Sequence, residues 1–241
     1  MISKNDAKYI QSLYHKKTRD EEGLFIAEGP KLVNELLTAG FGIKQVYALS
    51  EWAQDNREAE SITVIVSEAE LQRISSLQTP NQVLAIAIQP RPEQEPVLQE
   101  TLTLALDGIQ DPGNMGTIMR IADWFGITQL IVSEDTVDIY NPKVVQATMG
   151  SIVRVKVWNK NLTEWLSNIK VKIYAAMLNG ENVYKTGPVK EGVLIIGNEG
   201  KGIRGGVLPF VQYPLTIPKT GEAESLNAAV ATGIILSHIT G

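Results

Sequence analysis

The feature that most constrains the fold is an alternation of short apolar strands and helices along residues 97–241. Most of the apolar runs are rich in Val, Ile and Leu, and most are separated from the next run by a helical pattern. Near-continuous apolar strands separated by helices are typical of a parallel sheet covered on both faces. This part of the chain is therefore predicted to be an α/β domain. The predicted strands are 102–106, 129–132, 152–157, 171–176, 193–196 and 213–217, and the predicted helices are 114–125, 141–149, 162–169 and 226–239.

A proline-rich segment separates this domain from the preceding part of the chain. Residues 89–96 contain three prolines and no other apolar side chain, a composition that favours extended backbone. We expect a linker there, preceded by a small α/β domain in residues 1–88. The patterns in that domain predict helices at 2–17 and 30–39, a helix opened by a capping box at 67–70, and strands at 43–49, 62–66 and 83–88.

Composition excludes several kinds of site. The 241 residues include no cysteine and two histidines, which excludes a disulfide framework, a thiolate zinc site, a cysteine nucleophile and a histidine-rich metal site. No apolar run reaches the roughly 18 residues that span a membrane. Residues 1–6 lack the apolar stretch of a secretory signal. We expect a cytoplasmic protein that has no metal site and does not enter a membrane.

Charge is distributed unevenly along the chain. The formal net charge is −5, yet residues 1–19 hold five basic side chains against one acid. A basic helix can bind phosphates even when the protein is acidic overall. The simpler alternative is a solvated helix face without a partner. The five basic residues are Lys4, Lys8, Lys16, Lys17 and Arg19.

Three polar loops follow predicted strands, and parallel sheets bind ligands at the carboxyl ends of their strands. In the first loop, residues 107–120, Asn114 is predicted to cap the next helix. Arg120 lies in that otherwise apolar helix, where a guanidinium needs a carboxylate or phosphate partner. The alternative is a structural ion pair of Arg120 with Asp123 or Asp107.

The second loop, residues 197–206, contains five glycines, which let backbone approach a ligand closely. It lacks the glycine spacing and the terminal Ser or Thr of a Walker A phosphate loop. Glu199 would also repel an anion. A flexible surface turn is the alternative to a binding loop.

The third loop, residues 217–231, leads into a helix rich in alanine. Ser225 or Asn227 is predicted to cap this helix, and its small residues allow another element to pack closely. Helix packing without a ligand is the alternative. Because all three loops are predicted at one edge of one sheet, together they indicate a binding site there.

These loops carry a family resemblance. Asn114, Gly116, Arg120 and Ala122, then Gly197, Glu199 and Gly202, then Ser225-Leu226-Asn227 resemble the three motifs of the SpoU (TrmH-type) RNA 2′-O-ribose methyltransferases of the SPOUT superfamily. Residues 141–155 resemble the family's middle segment. Residues 25–29 and 79–80 resemble its N-terminal substrate-binding domain. The resemblance covers nearly the whole chain.

The resemblance implies a fold that the patterns alone do not predict, an α/β methyltransferase domain with a C-terminal trefoil knot. It implies that S-adenosylmethionine binds within the knot, through Gly197, Ile217 and Leu226. It also implies a homodimer through the methyltransferase domain. The linker and the small domain would then precede this domain, with residues 1–88 binding structured RNA, either rRNA or tRNA.

The resemblance also implies catalytic roles. Arg120 would stabilise charge on the ribose oxygen or hold the adjacent phosphate, because a guanidinium makes a poor base. Asn114 and Asn227 would orient Arg120 or the ribose, and Ser225 would bond near the cofactor. Glu199 would pair with Arg120 or receive the proton. Basic residues outside the N-terminal segment that would bind RNA are Lys31, Arg154, Lys201 and Arg204.

Two alternatives belong to other functional classes. One is a non-catalytic RNA-binding or ribosome-assembly protein on the same scaffold, suggested by the acidic charge and by Ala229, where family members commonly have Ser. The other is a nucleotide-hydrolysing enzyme using residues 197–206, which the missing Ser or Thr and the presence of Glu199 disfavour.

Overall fold

The structure is a computed structural model that describes residues 2–90 and 92–241. Arg91, which belongs to the predicted linker, lies outside the described residues. The chain forms two compact units, one of Met1–Arg91 with Asp138–Val153 and the other of Pro92–Val137 with Arg154–Gly241. Within the described residues, no helix has both the length and the apolar character that crossing a membrane requires.

The helices and strands are numbered in chain order. The strands are β1 (Leu24–Glu28), β2 (Ile43–Ala48), β3 (Thr63–Ile65), β4 (Val83–Ile88), β5 (Leu102–Asp107), β6 (Gln129–Val132), β7 (Lys156–Asn159), β8 (Ile173–Asn182), β9 (Gly192–Gly197) and β10 (Tyr213–Thr216). The helices are α1 (Lys4–Ser12), α2 (Lys16–Glu22), α3 (Pro30–Thr38), α4 (Ser50–Asp55), α5 (Glu68–Ile74), α6 (Pro112–Trp124), α7 (Pro142–Thr148), α8 (Leu162–Asn168) and α9 (Ala228–Ile239). Short 3₁₀ turns occupy Arg57–Ile62, Ser151–Val153, Val183–Lys185 and Leu208–Phe210.

The first unit is built on a four-stranded sheet in the order β1-β4-β2-β3. Strand β4 pairs antiparallel with both β1 and β2, and β2 pairs parallel with β3. The apolar faces of α1 and α5 pack on this sheet in one core. The predicted capping box of α5 is confirmed, because Ser67 and Glu70 bond each other's backbone N–H groups. Helix α7 packs against β1, so residues 138–153 complete this unit.

The predicted helix at 2–17 is in fact two helices, α1 and α2. The chain leaves the helical path between them, and this frees the carbonyls of Leu13 and Tyr14. Arg19 Nη1 donates to both carbonyls, at 3.0 and 2.8 Å. The rest of its guanidinium is bound to Asp138, and Arg19 is 2% exposed. The assignment of Arg19 to an RNA-binding surface is therefore wrong, because the side chain is buried and fully paired.

The second unit is a six-stranded sheet in the order β10-β8-β9-β5-β6-β7, and every pairing within it is parallel. The predicted parallel α/β domain is confirmed, and β6 has the predicted bounds. The central strands β5 and β9 are buried almost throughout. Helices α6 and α9 pack against each other, and α8 packs in a separate apolar core. The carboxyl ends of β5, β9 and β10 lead into the three polar loops.

Two strands also differ between the sequence prediction and the structure. The predicted strand at 152–157 begins as a 3₁₀ turn, and β7 starts only at Lys156. The β-branched residues of 152–157 predicted a strand. Met149 and Gly150, however, have positive φ angles of 52° and 103°, and the chain pairs with β6 only after this turn, from Lys156 onward. Strand β1 was not predicted, although all five of its residues are buried.

Candidate functional site

The start of α6 determines where the Asn114 side chain can reach. Asp111 is the N-cap, its carboxylate accepts from the Asn114 backbone N–H at 2.7 Å, and Pro112 occupies the first turn. The prediction that Asn114 caps this helix is therefore wrong, because the cap lies three residues earlier. A proline at the first helical position is the signal that identifies Asp111 as the cap. The amide of Asn114 is left available for other partners.

The three polar loops meet at the Asn114 amide. Asn114 Nδ2 donates to Glu199 Oε1 at 2.7 Å, and Asn114 Oδ1 accepts from Asn227 Nδ2 at 2.8 Å. Of the two predicted caps of α9, Ser225 and Asn227, the structure shows Asn227, whose Oδ1 accepts from the backbone N–H groups of Ala229 and Val230. Three side chains from three loops thus form one chain of hydrogen bonds, which we call the Asn114 network. Its members are half-buried or exposed, so a ligand can reach them.

Arg120 lies on the same helix as Asn114, and its side chain is exposed. Within the described part of the chain, it forms no hydrogen bond and no ion pair. Both acids considered as its structural partners are bound elsewhere, Asp107 to Arg204 and Asp123 to Arg154. A guanidinium carries a permanent charge and several donors. It is therefore available to an anionic group of a ligand.

The glycine-rich loop folds back on itself after β9. Asn198 and Gly202 exchange backbone hydrogen bonds at 3.0 and 2.9 Å. A Cβ at Gly197 would lie 2.5 Å from the carbonyl carbon of Gly202, so a side chain there would displace the loop. Asn198 Oδ1 accepts from the N–H groups of Gly200 and Lys201, and its Nδ2 donates to the carbonyl oxygen of Gly108. The position of Glu199 is fixed by these bonds on either side of it.

Asp107 holds the far end of this loop. It is fully buried at the carboxyl end of β5, and it binds both the backbone N–H and the guanidinium of Arg204. Arg204 Nη1 also lies 3.2 Å from Asp135 Oδ1. A hydrogen bond from Ser133 and the nearby guanidinium of Arg204 lower the pKa of Asp135 below its ordinary value. Sequence reasoning did not select Asp107 or Asn198 as site residues, although an Asx turn before a glycine signals the second.

The predicted cofactor residues lie beside exposed apolar side chains. Leu226 is 47% exposed and directly precedes Asn227, and Leu178 in the middle of β8 is 71% exposed. Thr216 Oγ1 donates to the Leu178 carbonyl at 3.0 Å, which ties the end of β10 to the middle of β8 next to Ile217. Apolar side chains beside backbone polar groups suit an adenosine moiety, so these residues fit the predicted cofactor. Ser225 is exposed beside them.

The remaining basic residues proposed to bind RNA lie at the surface. Lys16 and Lys17 form exposed ion pairs one helical turn along α2, with Asp20 and Glu21. Arg154 binds Asp123 with both carboxylate oxygens within 3.0 Å, and Arg204 is held by Asp107. These two arginines are therefore less available to RNA than free cations. Four lysines are exposed and form no ion pair with any described residue: Lys4, Lys8, Lys31 and Lys201.

Two family models match the chain. Residues 101–237 match the SpoU rRNA Methylase family, and residues 4–85 match the MRM3-like substrate binding domain. The 23S rRNA (guanosine(2553)-2′-O)-methyltransferase RlmP of Bacillus subtilis is 31% identical over 236 residues, covering 96% of this chain and 94% of the relative.

Solved structures give the same result. A protein of the TrmH family from Porphyromonas gingivalis has a TM-score of 0.88 at 37% identity, covering 99% of this chain and 98% of the other. An rRNA methyltransferase from Sinorhizobium meliloti, solved with S-adenosylmethionine bound, has a TM-score of 0.87 at 31% identity, covering 99% and 95%. The resemblance seen in the three motifs is confirmed over almost the full length of the chain. The chain therefore belongs to the SpoU rRNA methylase family.

Proposed function

We propose that this protein is an S-adenosylmethionine-dependent RNA 2′-O-ribose methyltransferase that acts on ribosomal RNA. The observation that carries the proposal is the Asn114 network, with Arg120 on the same helix and without an ion pair or hydrogen bond among the residues that the structure describes. The RlmP relative named for 23S rRNA supports ribosomal RNA as the substrate. No observation favours the non-catalytic alternative, and the loop of residues 197–206 is bound to its own neighbours rather than open as a phosphate cradle.

Gly197, Ile217 and Leu226 would hold the cofactor, the first two mainly through backbone groups and Leu226 also through its exposed side chain. When bound, S-adenosylmethionine supplies a methyl group already activated by a positively charged sulfur. The protein's task is then to bring the ribose oxygen in line with that group, which lowers the entropic part of the barrier. Ser225, exposed next to Leu226, is a hydrogen-bonding group for the same ligand.

Arg120 would act on the RNA. Its exposed guanidinium would bind the phosphate next to the target ribose or stabilise negative charge that develops on the 2′-oxygen. Neither acid of the alternative ion pairs competes with the RNA for Arg120, because Arg154 and Arg204 already bind them.

Asn114, Asn227 and Glu199 would orient the ribose. Glu199 Oε1 accepts from Asn114 Nδ2, and this bond fixes the orientation of the Asn114 amide. Of the two roles considered for Glu199, its contact with Asn114 instead of Arg120 argues against pairing with Arg120 and favours proton acceptance, for which its second carboxylate oxygen stays available. Asn227 bonds Asn114 and caps α9 at once, so its amide is fixed from both sides.

The proposal also covers the oligomeric state, the domain roles and the cellular location of the protein. Trp124 on α6 and Val230 on α9 are 85% and 50% exposed, and such apolar side chains on neighbouring helices support a homodimer through the methyltransferase domain. Residues 1–88 would bind structured RNA, a role that the match to a substrate-binding domain supports. Residues 89–96 would link them to the methyltransferase domain of residues 97–241. The trefoil knot stays a prediction from family membership, and the cytoplasm is the location that we propose.

The test is transfer of labelled methyl from S-adenosylmethionine to total RNA from cells that lack the gene, followed by nucleoside analysis. We expect a 2′-O-methylated nucleoside in the rRNA fraction. Arg120→Ala is expected to reduce transfer by at least about 10²-fold, as loss of one charge-stabilising donor does, while cofactor affinity stays within a few-fold by calorimetry. Arg57→Ala, which removes another exposed arginine, is the matched control.

Full activity of Arg120→Ala would overturn the role given to Arg120, and so would an equal loss of cofactor affinity. Absence of both methyl transfer and cofactor binding in the wild-type protein would favour the non-catalytic alternative instead.

A further inference from the structure

A polar cleft lies at the carboxyl edge of the six-stranded sheet, and one of its walls belongs to the glycine-rich loop that carries Glu199. Its volume is about 180 Å³. Ser133 and Glu134 line it after β6, Lys160 and Asn161 line it after β7, and Arg204 and Gly206 line it from the glycine-rich loop. Pockets for drug-sized ligands are roughly 300–1,000 Å³. The cleft is therefore the size for a single heterocyclic base rather than a whole nucleotide cofactor.

The walls of the cleft are held in place by hydrogen bonds. Arg204 is bound to Asp107 through its backbone and its side chain. Ser133 Oγ accepts from the Gly108 N–H at 2.8 Å and donates to Asp135 at 2.7 Å. A Cβ at Gly206 would lie only 3.2 Å from Thr163 Oγ1, so the loop approaches α8 closely. A cleft fixed in this way can discriminate between ligands of similar shape.

The charges around the cleft disfavour a phosphate. Arg204 is neutralised by Asp107 and also faces Asp135. Lys160 Nζ is paired with Glu95, at 2.7 and 2.9 Å from its two carboxylate oxygens. Glu134 adds a further negative charge to the lining. Acids therefore outnumber bases, and an anionic ligand would be repelled while a neutral polar ligand would not.

Glu134 provides the recognition chemistry. Its side chain is exposed, and it forms no hydrogen bond or ion pair with any residue that the structure describes. An ionised carboxylate is an acceptor only, with two oxygens that can receive two parallel N–H donors. Among the RNA bases, guanine presents two adjacent donors on its Watson–Crick edge, N1–H and N2–H. Its O6 acceptor, next to them, would face Lys160 or Arg204.

We propose that this cleft binds one unpaired guanine base of the RNA, read by Glu134 on its N1–H and N2–H and by Lys160 or Arg204 on O6. The inference rests on the proposed function, since it assigns a subsite for the RNA substrate. The loop that carries Glu199 of the Asn114 network also carries Arg204 and Gly206 of the cleft. The bound base is therefore the target nucleotide or one of its near neighbours. Sequence-specific proteins commonly read single-stranded RNA through splayed bases.

The experiment uses the full-length protein and fluorescein-labelled RNA pentamers at low ionic strength, with affinity measured by fluorescence anisotropy. The pentamers are UUGUU, UUUUU and UUIUU, in which inosine lacks only the N2 amino group. We expect UUGUU to bind about tenfold more tightly than UUUUU, with UUIUU between them. Glu134→Gln is expected to bring all three affinities within about twofold of each other.

Glu164→Gln is the matched control. Glu164 is an exposed acid on α8 that does not line the cleft, so both variants lose one negative charge from neighbouring surface. Both are expected to bind every pentamer somewhat more tightly because repulsion of the RNA backbone decreases. Only Glu134→Gln is expected to lose the preference for guanine. Equal affinities of the wild type for the three pentamers would overturn the inference, as would a guanine preference that survives in Glu134→Gln or competition by inorganic phosphate.

The same preparations are assayed for methyl transfer to RNA from cells that lack the gene. Transfer without a base preference would overturn this inference and leave the proposed function intact. A base preference without transfer or cofactor binding would overturn the proposed function and leave a guanine-binding cleft.

Discussion

Replacing Asn114 with alanine tests whether hydrogen bonds hold the three polar loops together. The substitution removes the bond to the Glu199 carboxylate and the bond from the Asn227 amide, at 2.7 and 2.8 Å. It leaves the backbone N–H that Asp111 accepts. A bond to a charged group contributes about 1.5–3 kcal/mol and a neutral one about 0.5–1.5 kcal/mol.

Two effects reduce that sum. The three side chains are half-buried or exposed, so water replaces part of what is lost. Alanine is also the better helix former, by up to about 0.7 kcal/mol. We therefore expect Asn114→Ala to lower the free energy of unfolding by about 1–2 kcal/mol.

The assay is urea denaturation of Asn114→Ala, Glu199→Ala and the double variant, followed by tryptophan fluorescence. The double-mutant cycle is expected to give a coupling free energy of about 1 kcal/mol between Asn114 and Glu199. Gln110→Ala, in the same loop, is the control, because Gln110 is exposed and forms no hydrogen bond within the described residues. A coupling of zero within error would refute the reasoning, since the bond would then contribute nothing to holding the loops together.

Two further predictions concern the first unit. Arg19→Ala leaves the Asp138 carboxylate, which is 12% exposed, without its cation and is expected to destabilise the protein by about 3 kcal/mol. Lys16→Ala, which breaks an exposed pair, should cost at most about 0.5 kcal/mol in the same urea titration. Similar costs for the two variants would contradict the assignment of Arg19 as a structural residue. Backbone hydrogen bonds from Ser67 and Ile2 lower the pKa of Glu70 from 4.5 to about 2. The ionised Glu70 carboxylate therefore stabilises the folded protein above pH 4.5, and this stabilisation is lost as the pH falls toward 2. The urea midpoint of Glu70→Gln should lie below that of the wild type at pH 7 and approach it near pH 2. A difference in midpoint that does not change with pH would contradict this.

Local patterns were enough to predict much of the fold. The apolar runs predicted the strands of the six-stranded sheet, with β7 placed too early, and the rule for parallel sheets predicted that the three loops would share one edge. Capping chemistry predicted the start of α5 at Ser67 and narrowed the cap of α9 to Ser225 or Asn227. These features depend on residues close together in the chain, so sequence reasoning can reach them.

Features set by distant residues could not be predicted in this way. Arg19 is a basic residue in a basic segment, and its burial depends on Asp138, which lies 119 residues further on. The partner of Arg204 is likewise separated from it by 97 residues. In the sequence, Arg120 stands out as a charge in an apolar helix and Glu199 as an acid in a glycine-rich loop, yet only the structure gives the contact of Glu199 with Asn114.

The placement of Asp138–Val153 in the first unit has a consequence for synthesis of the protein. Chains emerge from the ribosome at about 5–20 residues per second, so the 119 residues between Arg19 and Asp138 correspond to a delay of roughly 6–24 s. During that time the N-terminal segment has no carboxylate for Arg19 and no α7 to cover β1. Synthesis of the first unit therefore starts before that of the second, but the first unit cannot reach its final structure until residues 92–137 of the second have also been made. A nascent chain that stalls before Asp138 would expose β1, and it is at this stage that we expect the protein to be most prone to aggregation and most dependent on chaperones.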